Sequence, residues 1–360
     1  MQIECLVSLD ATQSQSWDDF LSRAARQHPR QSTRFAASEE AQGRKVLYAI
    51  GRDGGEIRAL ALISCLPHPF LPGRWKQAHC LSGPVCDDPD ALVRFLDALA
   101  RDPALSGVGG LHVTPFWTGE DARTLDRRLE DAGWAIGEQS RFRSTGWIDI
   151  ARSGDEIMAA FSKSARREVR RAERQGVTFR PITAPDEARE FLASLNRLRE
   201  SRGLAPMAPP AFDAAFRDIY AGGEMGVILG AWLEGAFIAG LLVYRSRDVV
   251  HGRHFTTETD ALRAAGNLRI SPALWLEGMN WGRDKGCRWL DVEGYEPPVA
   301  GSPRHNIYKY KSELGPEVVE RISERVRVLS PIIHLTGNLR ETLRKRLGPV
   351  YAKWRKRDGG

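Results

Sequence analysis

The sequence is short of the features that announce covalent staples or membrane spans. It has five cysteines, Cys5, Cys65, Cys80, Cys86 and Cys287, with no C-x-x-C pair among them. An odd number cannot all pair, so neither a disulfide framework nor a zinc site is suggested, and a reducing cytoplasm fits. No apolar run approaches the roughly 20 residues that span a bilayer. The N-terminal MQIECLVSLDATQSQSW lacks a basic start followed by an apolar stretch, so a cytoplasmic protein without a transmembrane segment is expected. There is no G-x-S-x-G elbow or other local nucleophile signature, which argues against hydrolase-type covalent catalysis. No repeat of solenoid length occurs, although two halves of similar strand and helix composition are compatible with a duplicated domain.

What is present is an ordinary globular composition over 360 residues, too long for one ordinary core, with a formal charge of +6. That charge suits an anionic partner, and its placement is informative. Lys163, Arg166, Arg167, Arg170, Arg171 and Arg174 put six basic side chains in twelve residues, at spacings that give a helix one wide basic face. Ala165, Val169 and Ala172 supply a thin apolar stripe, and Gly176 stands where a helix C-cap belongs. Such a face is either solvated or a phosphate-binding surface, since guanidinium groups bind phosphate bidentately.

Periodicity along the chain predicts a helix over 17–25, a hairpin of strands 45–50 and 57–66 around GRDGG, a helix over 89–100, a strand at 110–115 and a helix over 121–132. A strand at 143–150 follows, and a first domain ending near residue 152 is expected. The second, 153–330, starts with a helix capped by Ser153 or Asp155. It continues through the basic helix and helices 185–201 and 211–220 to three consecutive strands, 225–233, 236–245 and 249–256. A helix over 268–285, a strand at 289–292, a crossing segment 304–315 and a single extended segment 318–329 complete it. Residues 331–360 read as a basic amphipathic tail, with eight basic residues between Arg340 and Arg357 beside Leu343, Leu347, Val350, Tyr351 and Trp354. The tail suits contact with RNA or a membrane surface, or packing of its apolar stripe on the first domain. The fold class is α/β, with mixed sheets flanked by helices.

In order, the elements Gln31-Ser32-Thr33 with Phe35, Gly83-Pro84-Val85, the strand end at Val113 to Pro115, Gly133-Trp134, SARREVRRAERQGV, WLEGMNWGRDKG with WLDVEGY, and YKYKSELG carry a family resemblance. The chain resembles the Fem family of aminoacyl-tRNA-dependent peptidyl transferases, which build cross-bridges on peptidoglycan precursors and consist of two tandem acetyltransferase-like (GNAT) domains. The resemblance implies an aminoacyl-tRNA donor, no permanently bound cofactor and an anionic cell-envelope precursor as acceptor. It also implies a basic contact at Arg202 and a functional lysine in the element that holds Lys311, where Tyr310 and Leu314 replace the family's two aromatics. The family's lysine after the Gln-Ser element is missing here, where Phe35 is followed by AASEE.

Aminoacyl transfer needs an amine, an activated ester and a stabilised oxyanion, and proximity carries much of the rate. Lys311 is the candidate cation, and Lys309 would share its face if the segment is extended. Asp291 and Glu293, two apart on one strand, are candidate bases. Arg166 and Arg170 are candidate substrate contacts. An alternative donor, acyl-CoA, would use the loop Arg263-Ala-Ala-Gly266-Asn267-Leu268, a partial match to the pyrophosphate loop of GNAT enzymes, whose exposed N–H groups bind the anion. A non-catalytic binding protein is the third reading. His251 and His254, three apart in a strand and so on opposite faces, suggest no metal site.

Overall fold

The computed structural model describes residues 1–137, 143–298 and 305–337. Its strands are, in order, β1 (Gln2–Leu6), β2 (Lys45–Asp53), β3 (Glu56–Pro67), β4 (Trp75–Cys80), β5 (Gly110–Val113), β6 (Ala135–Ile136) and β7 (Ser144–Asp149). The second half supplies β8 (Thr178–Pro181), β9 (Gly226–Leu233), β10 (Ala236–Arg245), β11 (Val249–Thr257), β12 (Trp289–Asp291), β13 (Glu317–Glu320) and β14 (Arg325–Val328). They form two seven-stranded sheets, ordered β1-β2-β3-β4-β5-β14-β6 and β13-β7-β12-β11-β10-β9-β8. Each has one parallel pair at its centre, β4 with β5 and β11 with β12, and antiparallel ladders elsewhere.

Local sequence explains most of these elements. Gly54 and Gly55, both at positive φ, close the β2–β3 hairpin, and alternating apolar residues bury β3 between helices on both faces. Ser153 and Glu156 make a reciprocal capping box on the Gly154–Ala160 helix. Ser162 caps the basic helix, Lys163–Arg174, whose buried residues are Ala165, Glu168, Val169 and Ala172. Gly176 at φ +75 ends it.

The expected domain boundary is corrected by the ladders. β7, placed in the first domain from sequence, pairs with β12 and β13 in the second sheet. The single extended segment 318–329 is two strands in different sheets: β13 stays in the second, and β14 inserts between β5 and β6 of the first. The halves thus exchange one strand each. A buried guanidinium holds the second exchange: Arg325, 2% exposed, donates to Asp126 Oδ1 at 2.9 Å and to the carbonyls of Asp126 and Trp134. Chain order cannot show this, because a ladder's partner is chosen by core and hydrogen bonds. β1 and β4 were not expected from sequence.

Residues 331–337 are helical and lie on the first sheet, where a side chain at Gly109 would strike His334 N at 2.8 Å. Ile332 and Leu335 on this helix are exposed. The basic residues of the tail, Arg340 to Arg357, lie outside the described residues.

Candidate functional site

In the second half, β11 and β12 pair only from Val249–Trp289 to His251–Asp291. β11 then runs on to Thr257 while β12 stops, so the two part and open a cleft. A cavity of about 290 Å³ occupies it, with Arg199, Arg202, Arg253, Glu293 and Lys311 as its charged lining and Trp275 and Tyr310 among its apolar walls. A second cavity of about 300 Å³ lies between the two halves and shares Arg199, Arg253 and His254 with the first. Arg30 and Arg44 line its first-half side. The joined cleft therefore carries a strong excess of positive charge.

Lys311 lies on a helix, His305–Ser312, within the expected crossing segment. Its Nζ donates to the carbonyls of Glu293 and Gly294. An ammonium has three protons, so one remains for the cleft. Burial lowers the Lys311 pKa, and the charges of Glu293 and Asp291 oppose that fall. The helix also corrects the expectation for Lys309: at about 100° per residue, two positions apart is the opposite side, and Lys309 is exposed outside the cleft.

The two carboxylates do not share a strand face. β12 ends at Asp291, and Glu293 sits beyond it at φ +49. Glu293 lines the cleft and pairs with Arg253 at 3.3 Å. Asp291 is 2% exposed, behind it. It accepts from the Thr145 hydroxyl and from Glu293 N at 2.7 Å, and stands 3.6 Å from His251 Nδ1. Burial raises its pKa, but hydrogen bonding and charge from His251, with Arg321 and Thr145, hold it below the usual carboxylate value. Asp291 therefore positions the Glu293 turn, and Glu293 is the carboxylate that lines the cleft.

Sequence reasoning missed Arg253, His254 and Arg199. The signal lay in His251-Gly-Arg-His254, read as regular strand. β10 and β11 shift register between Leu242 and Val243, so His251 faces Tyr244 and His254 faces Leu242. The extra residue puts both histidines on one face and turns Arg253 into the cleft. His251 then meets His28 across the two halves, ring centroids 4.6 Å apart, and hydrogen-bonds Ser246 at 3.0 Å. Burial, then nearby cationic groups, push the His28 and His254 pKa values well below 6.5.

Of the two basic-helix candidates, Arg166 donates to the carbonyls of Ala159 and Phe161, capping the preceding helix, while Arg170 is exposed. Both line a shallow basic hollow with Lys163, Arg167 and Arg174, separate from the cleft. The helix abuts the Lys311 element through Ser162 N to Glu313 O at 2.8 Å.

The expected acyl-donor loop is closed on itself. Gly266 N and Asn267 N donate to Arg263 O, and Leu268 N donates to Leu262 O, as the C-terminal cap of the Thr259–Ala264 helix. Arg171 donates to the Gly266 carbonyl at 2.7 Å. The next helix, Ser271–Asp284, has a carboxylate before its start: Glu168, 3% exposed, accepts from Arg269 N at 3.4 Å. A carboxylate of the protein itself thus stands just ahead of that helix end.

This architecture agrees with known proteins. Residues 143–310 match the acetyltransferase (GNAT) domain family. The crystal structure of FemX superposes with a TM-score of 0.76 at 15% identity, covering 93% of this chain and 100% of that one. A tandem GNAT protein from the clavulanic acid biosynthesis pathway gives 0.53 at 13%, covering 92% and 99%. The C-terminal domain of an Agrobacterium fabrum protein assigned as a lysylphosphatidylglycerol synthetase gives 0.54 at 13%, covering 92% and 96%. Among curated proteins, no sequence matches. The chain has a tandem GNAT-like fold, its residues 143–310 matching the acetyltransferase domain family. Within that fold its arrangement is similar to that of FemX. No helix among the described residues is long and apolar enough to cross a membrane.

Proposed function

We propose that the protein is an aminoacyltransferase that moves an aminoacyl group from aminoacyl-tRNA to an amine on an anionic cell-envelope precursor. The observation that carries this reading is the closed donor loop: the N–H groups of residues 266–268 are taken up by the capped turn and that of Arg269 by Glu168, while the cleft keeps its cations. A donor whose phosphates bind elsewhere fits better than acyl-CoA. The FemX likeness and the lysylphosphatidylglycerol synthetase likeness point the same way.

In this reading the acceptor amine attacks the ester carbonyl carbon, and the tetrahedral oxyanion then collapses. The C–N bond forms, the bond to the ribose oxygen breaks, and the amine's proton passes to the departing oxygen. Glu293 takes that proton in transit, and the Lys311 ammonium stabilises the oxyanion or holds the terminal tRNA phosphate. Arg202, Arg199 and Arg253 bind acceptor or donor phosphates. Arg170, with its exposed basic neighbours, meets the tRNA body, and the tail adds contact with RNA or with the inner membrane surface from the cytoplasmic side.

The test is turnover. Purified protein is given labelled aminoacyl-tRNA or acyl-CoA, together with an extract of envelope precursors, and products are read by mass spectrometry. Acceptor-dependent transfer from tRNA is expected. Transfer from acyl-CoA alone, or thermal stabilisation by CoA without transfer from tRNA, would overturn the donor assignment. Turnover of neither would support a binding protein.

A further inference from the structure

A second set of chemical groups lies in the first half, away from the cleft. His79 on β4 and His112 on β5 are register partners, their rings stacked with centroids 4.7 Å apart. Glu324, just before β14, places Oε1 2.9 Å from His112 Nδ1. One donor atom from each of His79, His112 and Glu324 falls within 4.8 Å of the other two.

Two facts separate this cluster from an ordinary buried hydrogen-bond network. His112, 6% exposed, has no hydrogen-bond partner at Nε2, and Glu324, 8% exposed, has none at Oε2. A buried polar atom left unpaired is destabilising, and a bound cation is one way to satisfy it. Gly110 keeps the site open, since a Cβ there would lie 3.6 Å from His112 Nε2 and 3.1 Å from His334 Nδ1.

We propose that His79, His112 and Glu324 bind a divalent transition metal of the zinc class, with His334 at the rim. Two imidazoles and a carboxylate suit Zn²⁺ or Co²⁺ better than Mg²⁺ or Ca²⁺. Metal–nitrogen distances of about 2.0–2.1 Å require the donors to close by about an ångström, within the reach of side-chain rotation. The site is structural: it joins β4 and β5 to the exchanged segment at β14 and to the 331–337 helix.

The test uses the untagged full-length chain, stripped with chelator, then titrated with Zn²⁺ and separately with Co²⁺. One equivalent is expected to bind and to raise the melting temperature, with Co²⁺ showing visible d–d bands and no thiolate charge-transfer band. His79→Gln, at a half-buried position, and His112→Asn should each weaken binding at least tenfold. Substoichiometric binding, binding unchanged in both variants, or a thiolate band would overturn the proposal. Should His112→Asn fail to fold, His79→Gln alone decides.

Discussion

The two halves place the same three-strand unit at the centre of each sheet and complete it differently. In the second half, β11 and β12 bring together His251 and Asp291, and the exchanged strand β7 adds Thr145 two residues before Asp291's partner Trp147. In the first half, β4 and β5 bring together His79 and His112, and the exchanged segment adds Glu324 two residues before Val326, the partner of His112. The second set is satisfied internally, through Ser246, Thr145 and Glu293 N. The first leaves His112 Nε2 and Glu324 Oε2 unpaired. Equivalent positions have thus become a rigid backing for a cleft in one half and an open donor set in the other. Among the described residues only the second half combines this backing with a lysine, a glutamate and arginines in a cleft, so the proposed transfer chemistry is located there.

The largest expected difference is in stability. Asp291→Ala removes the acceptor at the centre of a closed buried network and is expected to cost about 3–5 kcal/mol by denaturant unfolding. Glu324→Gln in metal-free buffer keeps an acceptor for His112 and should cost less than about 1.5 kcal/mol. Equal losses would end the distinction between the halves. Next comes turnover: Lys311→Ala should lower it about a hundredfold in a folded protein, because one preorganised electrostatic donor is lost. Lys309→Ala, on the far side of the same helix, should leave it unchanged. Near-normal turnover in Lys311→Ala with saturating substrates would remove the lysine from the chemistry.

A third difference concerns pH at the junction of the halves. The His28 pKa is depressed, so the unfolded chain binds a proton more readily than the folded one below pH 6.5. Its contribution to stability is complete above the ordinary histidine value and is lost as pH falls below it. Between pH 6.5 and 5 the loss is up to about 2 kcal/mol, read from urea midpoints, and His28→Gln should flatten it. An unchanged pH slope in that variant would locate the titration elsewhere. The smallest effect separates two arginines of the basic helix. Arg166→Ala should lower stability by about 1 kcal/mol by uncapping the preceding helix. Arg170→Ala should leave stability unchanged while weakening tRNA and reducing the salt slope of binding.

Local physics made much of this legible in the residues. Ser162, Gly176 and the 3.6-residue spacing of Ala165, Val169 and Ala172 determined the basic helix, because capping and amphipathicity are properties of adjacent residues. The three-strand run 226–257 was equally readable from its apolar residues and the Glu234-Gly235 turn. What only the tertiary structure decided involves pairings that sequence order does not encode. The insertion of β14 depends on where the Arg325 guanidinium finds Asp126, and the docking of β7 on its ladders with β12 and β13. The entry of Arg253 into the cleft depends on one bulge, and the closure of the 263–268 loop on a carboxylate from another helix. His112 and Glu324 stand 212 residues apart, and no spacing rule joins them. Hydrogen-bond satisfaction in a packed interior is a condition on neighbours in space, so it selected these partners while the local sequence selected the elements that carry them.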